Sequence, residues 1–260
     1  MRRMKIREKF DKKLFLSGVC EIIGTMILVF VGCGTVALTT EVLFQEGQLL
    51  VNGLAFGITI ICLYYALSNV SGAHLNPAVS FAMYLNKKMT FKQCATYMLC
   101  QFIGAAIGAG FLELLFLDAN VNLNALGATI INKGMINYDT LGLFIAFFME
   151  TFFSFIFIFI FLSVTNHNKH KGMNGVVIGM AYSAVQFLGF MFTGASANPA
   201  RSFGPAMFAM INGVFTPAIQ LWLYILAPLV GAAIACAVSS IIKMGADQVE
   251  SIKRDDESDK

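Results

Sequence analysis

The sequence SGAHLNPAVS at residues 71–80 is matched by GASANPARS at residues 194–202, so the tripeptide Asn-Pro-Ala occurs twice, 122 residues apart. Each copy begins an apolar stretch that is shorter than the roughly 20 residues a helix needs to cross a bilayer. Asn is a strong helix N-cap, and Pro is favoured at the first helical position. The sequence therefore predicts two half-helices, 76–85 and 198–211, each capped by the Asn of its own tripeptide.

The composition of the whole chain points to a membrane. Of 260 residues, 57% are hydrophobic and only 13% are charged, whereas a soluble globular chain has roughly 25% charged residues. Lipid must therefore be the main solvent of the chain. Six Cys are scattered without a CxxC pattern, which favours small buried apolar residues over a metal site or a disulfide framework.

Six further segments are long and apolar enough to cross a bilayer, and backbone hydrogen bonding inside lipid requires them to be helices. They lie near 14–38, 48–69, 91–117, 139–165, 173–193 and 216–242. The predicted fold class is an all-α membrane protein with six transmembrane helices and two re-entrant half-helices.

The two halves of the chain repeat each other beyond the tripeptide. Gly57 and Gly179 each lie 19 residues before their Asn, and Gly-Ala-Ala-Ile occurs at 104–107 and again at 231–234. Three spans separate corresponding points, and because three is odd the second half is inserted upside down. This is an inverted 3+3 repeat, which places a functional site near the membrane midplane at the interface of the repeats.

Positive charge predicts the orientation of the chain. Of 18 Lys and Arg, 16 lie before Leu14, at 87–92, at 169–171 or from Lys243 onward. The positive-inside rule makes these regions and both termini cytoplasmic. The predicted organisation is a basic N-terminus (1–13), one channel domain (14–242, with repeats of about 14–117 and 139–242) and a solvated, disordered tail (243–260).

The paired tripeptides bring two helix N-termini together, each equivalent to about +0.5 elementary charge. If each Asn caps its own helix, its side-chain NH2 is free to donate to a molecule between them. A water held there by its oxygen could not relay a proton, and cations would be repelled. The candidate residues of this centre are Asn76, Pro77, Ala78, Asn198, Pro199 and Ala200.

Other polar residues inside the membrane are candidates for function. Arg201 is the only basic residue there, lies in the first turn of the second half-helix and is expected to donate to permeants and repel cations. Glu21 and Glu150, in the first span of each half, are expected to accept hydrogen bonds from loop N–H groups; a proton relay is the alternative. His74 is expected to line the inner mouth or simply to be packed.

These motifs and the two Glu resemble the aquaporin or major intrinsic protein family over about residues 14–242. The resemblance implies one pore in each subunit of a homotetramer. It also implies a narrow filter of four residues. These are Phe56, 20 residues before the first Asn; Gln186, 12 before the second; Ala195, three before it; and Arg201.

Within that resemblance, Phe56 and Arg201 match water-selective members, and Ser202 stands where glycerol-conducting members usually carry Asp. Gln186 replaces the usual His of water channels, and Ala195 replaces Cys or Thr. The sequence therefore predicts a passive water channel that excludes protons and ions. The alternative is a channel for glycerol or another small uncharged solute.

A coupled secondary transporter is disfavoured because no titratable relay accompanies the two Glu. The sequence has no HExxH or GxSxG motif, so we expect no enzyme activity, cofactor or metal. The expected partners are water, small uncharged solutes and the lipid bilayer, and no nucleic acid. The expected location is the plasma membrane.

Overall fold

A computed structural model describes residues 2–42, 45–117, 125–166 and 171–258. All regular structure in these ranges is helical. The α-helices are α1 (Arg2–Val42), α2 (Gln45–Leu67), α3 (Pro77–Leu85), α4 (Phe91–Phe116), α5 (Thr140–Asn166), α6 (Asn174–Thr193), α7 (Pro199–Ile211) and α8 (Thr216–Ser258), with a 3-10 turn at Lys171–Met173. Six described helices, all except α3 and α7, are long and apolar enough to cross a membrane. The six predicted spans are confirmed.

The packing of the helices follows the internal repeat. In the first half α1 packs against α2 and α4, and in the second half α5 packs against α6 and α8. Between the halves α2 packs against α6, while α3 contacts α8 and α7 contacts α4. Each of these contacts between α-helices therefore has a counterpart in the other half, as an inverted repeat requires. The predicted fold class is confirmed.

Repeated glycines allow the helices to approach closely. A Cβ on Gly57 would lie 2.7 Å from the carbonyl oxygen of Gly179, and a Cβ on Gly179 would collide with the carbonyl of Gly57. Likewise, a Cβ on Gly104 would strike α1, and one on Gly231 would strike α5. Small residues at such positions let helix backbones pack at short range inside a membrane.

The half-helices begin where the sequence predicts. The Asn76 side chain accepts from the N–H of Ala78 at 2.8 Å, and the Asn198 side chain accepts from the N–H of Ala200 at 3.1 Å. Pro occupies the next position in both helices, where its missing N–H costs nothing. Because α3 and α7 also touch, their N-termini meet inside the helix bundle.

The end of the chain differs from the prediction. We expected a disordered tail from residue 243, but α8 continues without a break to Ser258. Extending an existing helix needs no new nucleus, and residues 243–258 are rich in Lys, Glu, Asp, Arg and Gln, several of which are good helix formers. Polarity alone therefore did not identify the end of this helix.

Candidate functional site

The loops that precede the two half-helices have the same unusual backbone. Leu75 and Ala197, each directly before its Asn, have φ of 53° and 45°, and Ala73 and Ala195, two residues earlier, have φ of 50° and 42°. Non-glycine residues adopt such left-handed conformations uncommonly. Both loops must therefore be held in shape by their surroundings.

Glu21 holds the first loop. Its carboxylate is fully buried and accepts from the N–H of His74 at 3.0 Å and of Leu75 at 2.7 Å. It also accepts from the Gln101 Nε2 at 2.8 Å. Buried carboxylates need such partners because desolvation strongly disfavours an unpaired charge. The first loop is thus fastened to α1 and α4.

Glu150 holds the second loop in the same way. Its buried carboxylate accepts from the N–H of Ser196 at 3.0 Å and of Ala197 at 3.1 Å, and from the Thr193 Oγ1 at 2.6 Å. Hydrogen bonds to an ionised acceptor are among the stronger ones in proteins. In each of the two loops, a buried carboxylate, Glu21 or Glu150, therefore accepts from two loop N–H groups.

A second pair of supports was missed in the sequence. The Tyr97 hydroxyl donates to the Ser71 carbonyl at 2.9 Å, and the Tyr224 hydroxyl donates to the Thr193 carbonyl at 2.8 Å. Each Tyr lies seven residues before the Gly of a Gly-Ala-Ala-Ile repeat. Aligning the two halves residue by residue would have revealed the pair.

The two Asn side chains meet at the junction of the half-helices. The Asn76 Nδ2 donates to the Ala197 carbonyl at 2.8 Å, and the Asn198 Nδ2 donates to the Leu75 carbonyl at 2.9 Å. The sequence predicted a free NH2 on each Asn, which is wrong for one of the two hydrogens. Since an amide nitrogen carries two N–H groups, one on each Asn remains to donate to a permeant.

A small central cavity of about 10 Å³ lies at this junction, with Asn76 and Asn198 in its wall. A cavity of roughly this size holds about one water molecule. Most of the other residues in its wall are apolar or aromatic, among them Ile60, Phe157 and Tyr182. The site therefore offers a few polar groups on an otherwise apolar surface.

Arg201 and Phe56 form one half of the predicted filter. Both are buried, and the guanidinium carbon lies 5.0 Å from the centroid of the Phe56 ring, a cation–π contact. The Arg201 Nη1 donates to the Gly127 carbonyl at 2.9 Å. The Arg201 Nε is buried and has no hydrogen-bond partner within the described residues.

Gln186 and Ala195 form the other half. The Gln186 Nε2 donates to the Ala195 carbonyl at 2.6 Å, and the Gln186 Oε1 has no partner among the described residues. Tyr182, which sequence reasoning missed, lies one helical turn before Gln186, and its ring centroid is 5.7 Å from that of Phe56. The structure thus brings the four predicted filter residues together, and Tyr182 lies beside them.

Two vestibules continue the path on either side. The Arg201 vestibule, about 460 Å³, is lined by Arg201, Gly127 and residues of α1 and α6. The His74 vestibule, about 560 Å³, is lined by His74, Phe161 and residues of α2. Because His74 and Phe161 also line the central cavity, the second vestibule adjoins it directly. The filter residues separate the first vestibule from it.

His74 lies where the central cavity adjoins the His74 vestibule. Its Nδ1 lies 3.1 Å from the Ser80 Oγ, and its ring centroid lies 5.1 Å from that of Tyr97. His74 therefore lines the wall of the His74 vestibule and also packs against Tyr97. No group of three or more metal-ligating side chains occurs among the described residues.

The chain is similar to known membrane channels. The family model described as major intrinsic protein matches residues 9–239. Glycerol uptake facilitator protein-like 6 of Lactiplantibacillus plantarum is 34% identical over 225 residues, which cover 86% of this chain and 96% of that protein. Aquaporin AqpM of Methanothermobacter marburgensis is 31% identical over 238 residues, 84% of this chain and 93% of its own. The aquaglyceroporin of Plasmodium falciparum superposes with a TM-score of 0.79 at 23% identity and covers 90% of this chain and 99% of its own.

Proposed function

The chain belongs to the major intrinsic protein family, whose members are channels, and we propose that it is a passive water channel that excludes protons and ions. The observation that carries the proposal is the central cavity of about 10 Å³ between the capped starts of the two half-helices. It has room for about one water molecule, and its polar wall is formed by Asn76 and Asn198.

The electrostatics of the junction favour water over ions. Two helix N-termini point at the cavity, each equivalent to about +0.5 charge, and Arg201 adds a full positive charge at the filter. A water whose oxygen accepts from Asn76 and Asn198 directs its own hydrogens away from both, so it cannot pass a proton along a chain. Pore diameter and such positive barriers are the general basis of selectivity in aquaporin-type pores.

Glycerol or another small uncharged solute is the second candidate. It is favoured by the small Ala195 side chain at the filter and by the relative named as a glycerol uptake facilitator. Against it, Gln186 is fully buried at the filter and donates to the Ala195 carbonyl at 2.6 Å. That arrangement fills space and occupies an acceptor that a solute hydroxyl would need, so water is the favoured permeant.

The surroundings of the channel follow from the charge pattern and the outer helix faces. We place both termini in the cytoplasm and the chain in the plasma membrane because basic residues flank the spans on one side. Large apolar side chains such as Leu114, Phe144 and Phe148 are exposed, which suits contact with lipid and with the other subunits of a homotetramer. Crosslinking of the protein in membranes would test the tetramer.

Stopped-flow light scattering of proteoliposomes tests the function. Vesicles that contain the protein should shrink in sucrose much faster than protein-free vesicles, and in glycerol they should shrink and then reswell no faster than those controls. A pH-sensitive dye inside the same vesicles should report no added proton leak. Fast reswelling in glycerol would favour the second candidate. A proton or ion current through the protein, or saturable uptake driven by a gradient, would refute the passive channel.

A further inference from the structure

Three consecutive carbonyl groups of the second loop, residues 195–197, each accept from a buried side chain of this chain. The donors are the Gln186 Nε2 at 2.6 Å, the Tyr182 hydroxyl at 2.6 Å and the Asn76 Nδ2 at 2.8 Å. Glu150 accepts from N–H groups of the same loop. Residues with positive φ alternate with others in this loop, at Ala195 and Ala197, and in such a backbone successive carbonyls point together, away from the N–H groups. The carbonyls that border the path are therefore covered by side-chain donors.

Tyr182 lies between the filter residues and the central cavity. Its side chain is fully buried, lines the cavity and packs with ring centroids 5.7 Å from Phe56 and 5.1 Å from Phe157. A molecule that has passed Arg201 and Phe56 must next pass this ring to reach the Asn pair.

The internal repeat shows that the fold itself does not require a tyrosine here. Ile60 lies 16 residues before Asn76, just as Tyr182 lies 16 before Asn198, and Ile60 lines the same cavity. Ile60 has no hydroxyl to donate, yet the first loop has the same left-handed backbone as the second. Loop support therefore does not explain Tyr182.

We infer that Tyr182 is a second selectivity barrier, which lets single water molecules pass and holds back uncharged solutes with several hydroxyl groups, such as glycerol. This inference rests on the proposed channel function and refines its specificity. Water fits a space of about 10 Å³, whereas a triol is larger and needs several acceptors along the loop. Tyr182 both narrows the space and occupies the Ser196 carbonyl.

The test compares the full-length protein with two variants in proteoliposomes. Tyr182→Ile copies the residue of the other repeat and removes both the ring and the hydroxyl. We expect it to raise glycerol permeability by at least about tenfold, because one lost hydrogen bond of ordinary strength accounts for roughly fivefold and the loss of the ring widens the passage as well. Tyr182→Phe keeps the ring and frees only the Ser196 carbonyl, so glycerol permeability should rise by less than in Tyr182→Ile. Tyr182→Leu serves if Tyr182→Ile does not fold.

Tyr224→Phe is the matched control. It removes another buried tyrosine hydroxyl bonded to a carbonyl of the same loop region, at 2.8 Å, but Tyr224 is not part of the wall of the central cavity. Its glycerol permeability should equal that of the wild type. Equal increases in Tyr224→Phe and Tyr182→Ile would indicate general loosening and overturn the inference.

An unchanged glycerol permeability in folded Tyr182→Ile or Tyr182→Leu would also overturn it. The proposed water channel is judged separately, by the water permeability of wild-type vesicles against protein-free ones. A wild-type protein that passes no water would refute that function, while the ratio of variant to wild-type glycerol permeability still decides the role of Tyr182.

Discussion

Replacing Glu150 by Gln should destabilise the protein by about 1–3 kcal/mol, the usual result of leaving one buried hydrogen-bonding group without a partner. In the structure one carboxylate oxygen accepts from Thr193 and Ser196, and the other accepts from Ala197. Gln keeps one acceptor oxygen but places an NH2 group where the other stood. That NH2 would face an N–H of the loop, donor against donor, in a site with no exposed surface.

The same change should lower water permeability. An N–H that loses its partner moves the adjoining peptide, and the Ala197 carbonyl is the acceptor for Asn76 at 2.8 Å. Displacing that carbonyl disturbs the Asn pair, which we propose orients the permeant. The free energy of unfolding can be followed by SDS titration in mixed micelles, and the permeability by stopped-flow shrinkage of vesicles with equal protein content.

Glu113→Gln is the control for this experiment. Glu113 is half-buried and accepts from the Asn212 Nδ2 at 2.9 Å, away from both loops. A change of this kind usually alters stability by no more than about 0.5 kcal/mol, and water permeability should not change. If Glu150→Gln matched Glu113→Gln in both stability and permeability, the loop would not depend on the buried carboxylate.

Three further changes test the filter and the helix packing. Gln186→Gly should raise glycerol permeability, because it opens the filter and frees the Ala195 carbonyl; an unchanged value would remove Gln186 from the filter. Water flux through the wild type should resist mercurials, whereas water flux through Ala195→Cys should be inhibited by them and should recover when a thiol is added. Inhibition of the wild type to the same degree would contradict this. Gly57→Ala should lower the free energy of unfolding by about 1–3 kcal/mol because the added Cβ would overlap α6. Thermal unfolding in detergent measures this change. A variant as stable as the wild type would argue against close packing of α2 on α6.

Much of this architecture is predictable from the sequence because the rules involved are local. Length and hydropathy identify the six spans, and an Asn followed by Pro identifies the starts of α3 and α7. The roles of Glu21 and Glu150 could be expected because a carboxylate at this depth must find donors, and re-entrant loops have N–H groups to offer.

The loop conformation could not be predicted in the same way. Left-handed φ is usually signalled by Gly or Asn, but here it also occurs at Ala73, Leu75, Ala195 and Ala197, whose identities carry no such signal. The loop conformation decides which way each carbonyl points. The hydrogen bond from Tyr182 to Ser196 therefore follows from long-range contacts that a single sequence does not reveal.

A comparison of the two halves distinguishes the residues that support the loops from those proposed to determine selectivity. The supports occur in pairs, for example Tyr97 with Tyr224, because both loops need the same backbone. The residues that we propose meet a permeant do not: Arg201 corresponds to Val79 in the first half, and Tyr182 corresponds to Ile60. Because the two halves share the same backbone but not these side chains, the fold does not require particular residues at these positions. Their identities can therefore determine which solutes pass. The chemistry of the path thus depends on the positions where the repeat is broken.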